Sequence, residues 1–314
     1  MRGWLLLLLC AVSAVLTAFV PAGLLVAPAL WAFAAVRTKP HWIILPATVF
    51  AVAMFALDNA VSAAGLTGAA VLAAVLLSVL MTRGAGNADT ALLLAGVFLA
   101  GLYAALCLPG VLDGRGAFAD IQSAMATAGD LYRAALAQTP QISQEMAATA
   151  TEMIDALYEA VPSGFVAVLC VFASVLGLGN LLLFRLFCRR HAEISISPIR
   201  PFREWTLPRS LTLGLFTMLI GSLILELAEW EYAVSFAVTV NVLVALPLLL
   251  LGLCVVDFFI VRSQKNIALK RALTYTGIGI LLRLALYPLV LIGCFDLIFR
   301  LRERMRGMPP RAAI

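Results

Sequence analysis

Nine long apolar runs occupy most of the chain, and they constrain the fold more than any other feature of the sequence. They are Trp4–Val20, Gly23–Val36, Trp42–Leu57, Leu66–Thr82, Thr90–Gly110, Val161–Phe187, Leu211–Leu227, Tyr232–Val261 and Leu273–Phe299. A helix that crosses a bilayer needs roughly 17–25 apolar residues. Most of the runs meet that length, whereas the second and third are short and suit a segment buried in protein or re-entering without crossing. The hydrophobic set makes up 63% of 314 residues and charged residues 12%, against roughly 45–50% and 25% in soluble domains. No aqueous core of this size hides that much apolar surface, so the expected fold is all-α: a polytopic transmembrane helix bundle.

Lys and Arg in the loops set the expected orientation. Arg2, then Arg37 and Lys39, then Arg83 mark three inner points. Arg185, Arg189, Arg190, Arg200, Arg203 and Arg209 mark a fourth, and Arg262, Lys265, Lys270 and Arg271 a fifth. Between residues 111 and 159, Arg115 and Arg133 stand against Asp113, Asp120, Asp130, Glu145, Glu152, Asp155 and Glu159. That stretch is expected outside, as an extracytoplasmic amphipathic helical insert. About eight spans satisfy these signs, with the N-terminus inside and the first run retained as a span rather than cleaved as a signal. The ninth run would put Arg300, Arg302, Arg304, Arg306 and Arg311 outside. Either Pro288 splits it into a re-entrant hairpin or an early short run fails to cross. The expectation is an even number of crossings and a cytoplasmic basic tail, in a bacterial cytoplasmic membrane.

Three segments follow: an N-terminal bundle over 1–110, the insert over 111–160, and a C-terminal bundle over 161–314 with a cytoplasmic loop at 188–209. Within the insert, Phe118, Ile121, Met125, Leu131 and Leu136 suit one amphipathic helix, and Thr139-Pro140 reads as the start of the next. Glu145, Glu152 and Glu159 recur every seven residues on one side of that second helix, the pattern of a solvated acidic face or a docking surface.

Few residues in the apolar runs carry chemistry. Ionisable groups inside lipid are costly and mark function by default. Arg283, set among leucines, requires a partner, and Asp257 is the acid expected to supply it. Such a pair either fixes helix packing or, with Asn241, forms a ligand-binding interior. Asp296 is expected to pair with Arg300 four residues on. Asn180 and the small pairs Gly65/Gly68 and Ala14/Ala18 suit close helix contacts.

Cys10, Cys107, Cys170, Cys188, Cys254 and Cys294 are scattered singly, without disulfide or zinc spacing, and only His41 and His191 are present. These patterns give no metal site and no cofactor. No phosphate-binding glycine loop, H-E-x-x-H or nucleophile elbow occurs, so a non-enzymatic role is expected. Short basic loops beside spans are what orientation requires, so nucleic acid is not an expected partner. Membrane lipids are, together with a small-molecule ligand or a partner membrane protein.

Two stretches resemble a known family. One is Pro201-Phe202-Arg203-Glu204-Trp205-Thr206-Leu207-Pro208, just before a span; the other is Leu291-Ile292-Gly293-Cys294-Phe295-Asp296-Leu297-Ile298-Phe299-Arg300. Together with the layout of the chain they resemble the YybS-like family of bacterial multi-pass membrane proteins of unknown function. The resemblance marks Pro201, Phe202, Trp205, Pro208, Gly293, Asp296 and Arg300 as motif or structural positions. That family is distantly similar to the substrate-capturing components of energy-coupling-factor vitamin transporters. The similarity implies a compact bundle holding a small molecule, with small residues of the first span (here Ala14 and Ala18) docking on a coupling subunit. The chain departs from it in having more than six spans and an acidic insert. The rival expectation is a membrane scaffold or regulatory protein acting through the 189–209 loop, the basic tail or the acidic hairpin.

Overall fold

The structure, a computed structural model, describes residues 3–57, 60–137, 144–189, 191, 201–207, 209–230, 233–262 and 266–305. Among these residues it is all-helical, with no strand. Five helical stretches are long and apolar enough to cross a membrane: Pro40–Leu57, Ala60–Thr82, Asn87–Leu112, Gly164–Cys188 and Phe236–Arg262. The bent pair Ile267–Ile280 and Leu284–Phe299 makes a sixth if it counts as one span. Trp4–Phe19 and Leu211–Leu227 are shorter apolar helices. The chain divides into two compact units, Met1–Ser197 and Pro198–Ile314. The helix that carries the run opening the expected C-terminal bundle, Gln144–Cys188, lies in the first unit.

The first unit contains α1 (Gly3–Phe19), α2 (Ala27–Arg37), α3 (Ile44–Leu57), α4 (Ala60–Thr82), α5 (Asn87–Leu112), α6 (Ala119–Ala137) and α7 (Gln144–Cys188). Its centre is α2, in which every residue from Ala27 to Ala35 is buried. At 11 residues it rises only about 16 Å. A 3-10 turn over Pro21–Leu25 precedes it, and Pro28 stands in its first turn, where a missing N–H costs no helical bond. The second apolar run is therefore interrupted, as its length suggested, and it doubles back along α1. Gly23 lies so close to Thr17 that a Cβ there would meet the Thr17 backbone. Further along, the Trp31 indole N–H donates to Ser13 Oγ at 3.1 Å and Cys10 Sγ approaches the Leu30 carbonyl at 3.9 Å.

Breaking a helix inside an apolar bundle strands backbone polar groups that must find partners. Asn180 on α7, fully buried, supplies them. Its Oδ1 accepts the Ala29 N–H at 2.9 Å, and its Nδ2 donates to the Leu24 and Leu176 carbonyls, each at 2.9 Å. The side chain thus caps α2 from a residue 151 positions away. This is the hydrogen bond across a helix contact that the sequence suggested for Asn180.

Glycine sets the other close contacts. A Cβ on Gly177 would meet the backbone at Ala91 and Ala95, which brings α7 onto α5. Gly65 and Gly101 bring α4 and α5 together, and Ser62 Oγ donates to the Ala105 carbonyl at 2.6 Å beside them. Gly68 faces open space instead, in an apolar groove lined by Leu72, Leu92, Leu93 and Gly96. Ala14 is fully buried and Ala18 partly so.

The insert forms α6 and the first part of α7, and Phe118 meets Phe165 edge-on at 5.6 Å. Arg115 bridges Asp113 and Asp120 at the turn before α6. These carboxylates, Asp113 foremost through its hydrogen bond, hold the guanidinium above its ordinary pKa. The second insert helix does not end before the membrane run; the two form one helix of 45 residues. Thr139-Pro140 lies outside the described residues.

The second unit contains α8 (Arg209–Leu227), α9 (Ala233–Arg262), α10 (Ile267–Ile280), α11 (Leu282–Phe299) and α12 (Leu301–Met305). The ninth run breaks at Leu281, whose φ of −101° and ψ of 25° end α10, and not at Pro288, which is accommodated inside α11. The helices bend by 118° there. As a result α11 runs in the same direction as α9. Gly252 and Gly293 meet at the crossing, and beyond it Arg262 Nη1 reaches the Met305 carbonyl at 3.4 Å.

Two outcomes are expected. Asn180→Leu leaves the α2 cap unsatisfied and should cost about 2–3 kcal/mol, read as a lowered midpoint in detergent thermal unfolding, with Ser174→Ala as a neutral control. Single cysteines placed at 262 and 305 should react with an impermeant maleimide from the same face of sealed vesicles; reaction from opposite faces would exclude the hairpin.

Candidate functional site: two buried carboxylates in the second unit

The site begins with a close helix crossing. On α9 and α11, Gly252 and Gly293 remove the Cβ atoms that would otherwise fall on the Leu289 and Leu248 carbonyls. Contact this close brings polar side chains just beyond the crossing into one neighbourhood. Asp257 and Asp296 lie there, both buried, and Cys254 sits within electrostatic reach of both and of Arg302.

Each carboxylate is held by an arginine. Arg271 on α10 grips Asp257 with both arms, Nε to Oδ1 at 2.7 Å and Nη2 to Oδ2 at 2.8 Å, the two-pronged geometry in which a guanidinium matches a carboxylate. The Asp257 side chain is 3% exposed and that of Arg271 42%. Tyr275, one turn further along α10, lies within electrostatic reach of Asp257.

The second pair is closed on both sides. Asp296 accepts Arg302 Nε at 2.8 Å, Nη2 at 2.7 Å and the Arg302 backbone N–H at 3.1 Å, with both side chains 7% exposed. The remaining arm, Arg302 Nη1, donates to the Arg203 carbonyl at 2.8 Å. Arg203 lies in the short 3-10 turn Phe202–Glu204, which packs on α9. One guanidinium therefore ties the segment before α8 to the end of α11, joining the two stretches that carried the family resemblance.

Among the described residues, the two acids find these partners. The carboxylate of Asp257, expected to meet Arg283, is held by Arg271. Arg283 lies in the first turn of α11, and its side chain is outside the described residues. Asp296 pairs with Arg302 rather than Arg300. Arg300 adopts the left-handed conformation that ends α11, with φ of 50°, and meets Glu303 at 3.8 Å. This turn redirects the chain so that the residue two further on, not the one four after Asp296, reaches back to the carboxylate.

Asn241 is exposed and stands 16 residues from Asp257 on the same helix, about 24 Å at 1.5 Å per residue. Asn241 and Asp257 thus do not share a small-molecule site. Of the motif positions, Gly293 and Asp296 lie in the centre just described. Phe202 and Trp205 are half-buried and meet edge-on at 5.4 Å; Pro201 is exposed, and Pro208 lies outside the described residues. The sequence missed Arg271, Tyr275 and Arg302. Of these, only Arg271 left a signal: a cation closely following an apolar run that ends near an acid.

Among the described residues, no group of three or more His, Cys, Asp and Glu is placed to hold a metal ion. Arg302→Ala should leave Asp296 as an unpaired buried charge, at a cost of about 3–5 kcal/mol, and should release the 201–207 segment. The expected readout is a lowered thermal midpoint together with faster tryptic cleavage after Arg203.

No curated protein and no solved structure matches the chain. A family model does, over residues 5–297, nearly the whole of both units and including the crossing glycines and both buried carboxylates. The chain belongs to the family described as predicted membrane protein (DUF2232).

Proposed function

We propose that this membrane protein is a non-enzymatic component of a bacterial cytoplasmic membrane that holds a small molecule within its bundle, in the manner of the capturing part of a transporter. The observation that carries this reading is that each unit contains an interrupted apolar helix: the 3-10 turn followed by buried α2 in the first, and the α10–α11 bend in the second. Non-helical backbone at membrane depth is tolerated where it is buried in protein or lines a cavity. In secondary transporters, paired interruptions in the two halves are the best sequence pointer to the binding region. The distant likeness to energy-coupling-factor components points the same way, by resemblance alone.

The topology that goes with this reading has eight crossings, by α1, the broken second run, α3, α4, α5, α7, α8 and α9, with α10 and α11 as a re-entrant hairpin. The basic tail then shares the inner side with Arg262, in keeping with the placement of positive charge. In this topology the insert, α6 with the first part of α7, lies outside.

A second reading is favoured by one contact. The Arg302–Arg203 hydrogen bond holds the segment bearing Phe202 and Trp205 in a fixed shape on α9, as a platform for another protein would require. A scaffold or regulatory role would use that platform.

Native mass spectrometry of protein purified in mild detergent separates the two. Ligand capture predicts a bound small-molecule mass or a co-purifying coupling ATPase. An empty protein carrying some other partner, lost on Phe202→Ala with Trp205→Ala, would overturn it in favour of the platform.

A further inference from the structure

Asp257 is a nearly fully buried carboxylate in a long apolar helix, and such a group requires a partner. Its partner does not come from the bundle core. Arg271 reaches in from α10, a helix with no buried residue, whose Leu269, Leu273 and Ile280 are 58%, 65% and 77% exposed. Both ends of α10 are jointed. Asn266 at its start is left-handed, with φ of 51°, and Leu281 at its end is the site of the 118° bend. Besides its modest packing on α9 and α11, α10 is fastened by the two-pronged grip of Arg271 on Asp257. Nearby, Asp296 and Arg302 satisfy each other, so lifting α10 takes from the Asp257 carboxylate the guanidinium that grips it.

We propose that α10 is a lid closed by the chain's own Arg271, and that the Asp257 carboxylate beneath it is a binding site for a guanidinium-bearing small molecule. A planar guanidinium fits the site because it presents paired N–H donors at the spacing of the two carboxylate oxygens, which an ammonium ion does not. The proposal deepens the ligand-binding reading and rests on it for the free ligand, while closure of the lid is measured without any ligand.

Cys254, 1% exposed and within electrostatic reach of both Asp257 and Tyr275, is the natural reporter. In protein with the other five cysteines replaced by alanine, N-ethylmaleimide should label Cys254 slowly. Arg271→Ala should speed labelling about tenfold, as local opening does. Millimolar guanidinium chloride, but not sodium chloride at the same ionic strength, should slow it again. Asp257→Asn combined with Arg271→Ala should label as fast and gain nothing from guanidinium.

Unchanged labelling in Arg271→Ala would overturn the lid. Failure of guanidinium to protect that variant, or equal protection of the double variant, would overturn the site. Should Arg271→Ala fail to fold, Arg271→Lys decides the matter, since the same proposal requires faster labelling that guanidinium slows. A small molecule retained in native mass spectrometry, alongside lid variants that label like the parent, would remove the lid and leave ligand capture standing.

Discussion

An apolar surrounding gives a stranded N–H, carbonyl or charge no water to turn to, and the rest of this structure depends on how the chain meets that condition. In the first unit the need arises from backbone. The chain turns at Pro21–Leu25 and restarts as α2, exposing helix ends where they are most costly. One amide, Asn180, serves both the end of the turn and the start of the helix. The fully buried face of α2 follows, because only a helix whose ends are satisfied elsewhere can sit at the centre of a bundle. In the second unit the need arises from side chains. Asp257 and Asp296 are buried, and each draws an arginine from a different element: α10 for one, α12 for the other.

Close helix contact makes both solutions possible. At Gly177 the approach of α7 to α5 goes with the burial of Asn180 one turn further along. At Gly252 and Gly293 the crossing of α9 and α11 sets Asp257 and Asp296 into the same neighbourhood. A side chain at these glycines would push the helices apart before any polar contact formed. Stability and the candidate site therefore share a cause, and a bulky residue at the crossing would disturb both at once.

Much of the architecture was legible in the sequence because lipid imposes a coarse code. Apolar length gave helices, and the shortness of the second run pointed to a segment buried in protein. The partners of the charged residues were not legible. A rule such as i,i+4 assumes an unbroken helix, yet Arg300 ends one in a left-handed turn and hands Asp296 to Arg302. Likewise Arg271 reaches Asp257 because the chain reverses after Arg262, and no local spacing encodes that return. Pro288 offered one of two readings of the ninth run, and the break falls at Leu281 instead for a related reason. Proline inside an apolar bundle is tolerated as part of a helix, whereas a run of leucines carries no mark of where it turns. The length of α7 was hidden too, since the composition changes from acidic to apolar without any change in backbone conformation.

That last continuity has a mechanical consequence. Residues 144–163 of α7 extend about 30 Å, at 1.5 Å per residue, beyond the stretch Gly164–Cys188 that is apolar enough to cross a membrane. The helix runs on through Pro162 at the junction, and the stretch Gly164–Cys188 also carries Asn180, the residue that caps buried α2. A tilt of 10° about that cap would carry the far end of the helix, 36 residues and about 54 Å away, through roughly 9 Å. The helix is thus a lever: movement around the central buried helix is magnified at the tip, and a load on the tip is returned to the one amide that closes the break.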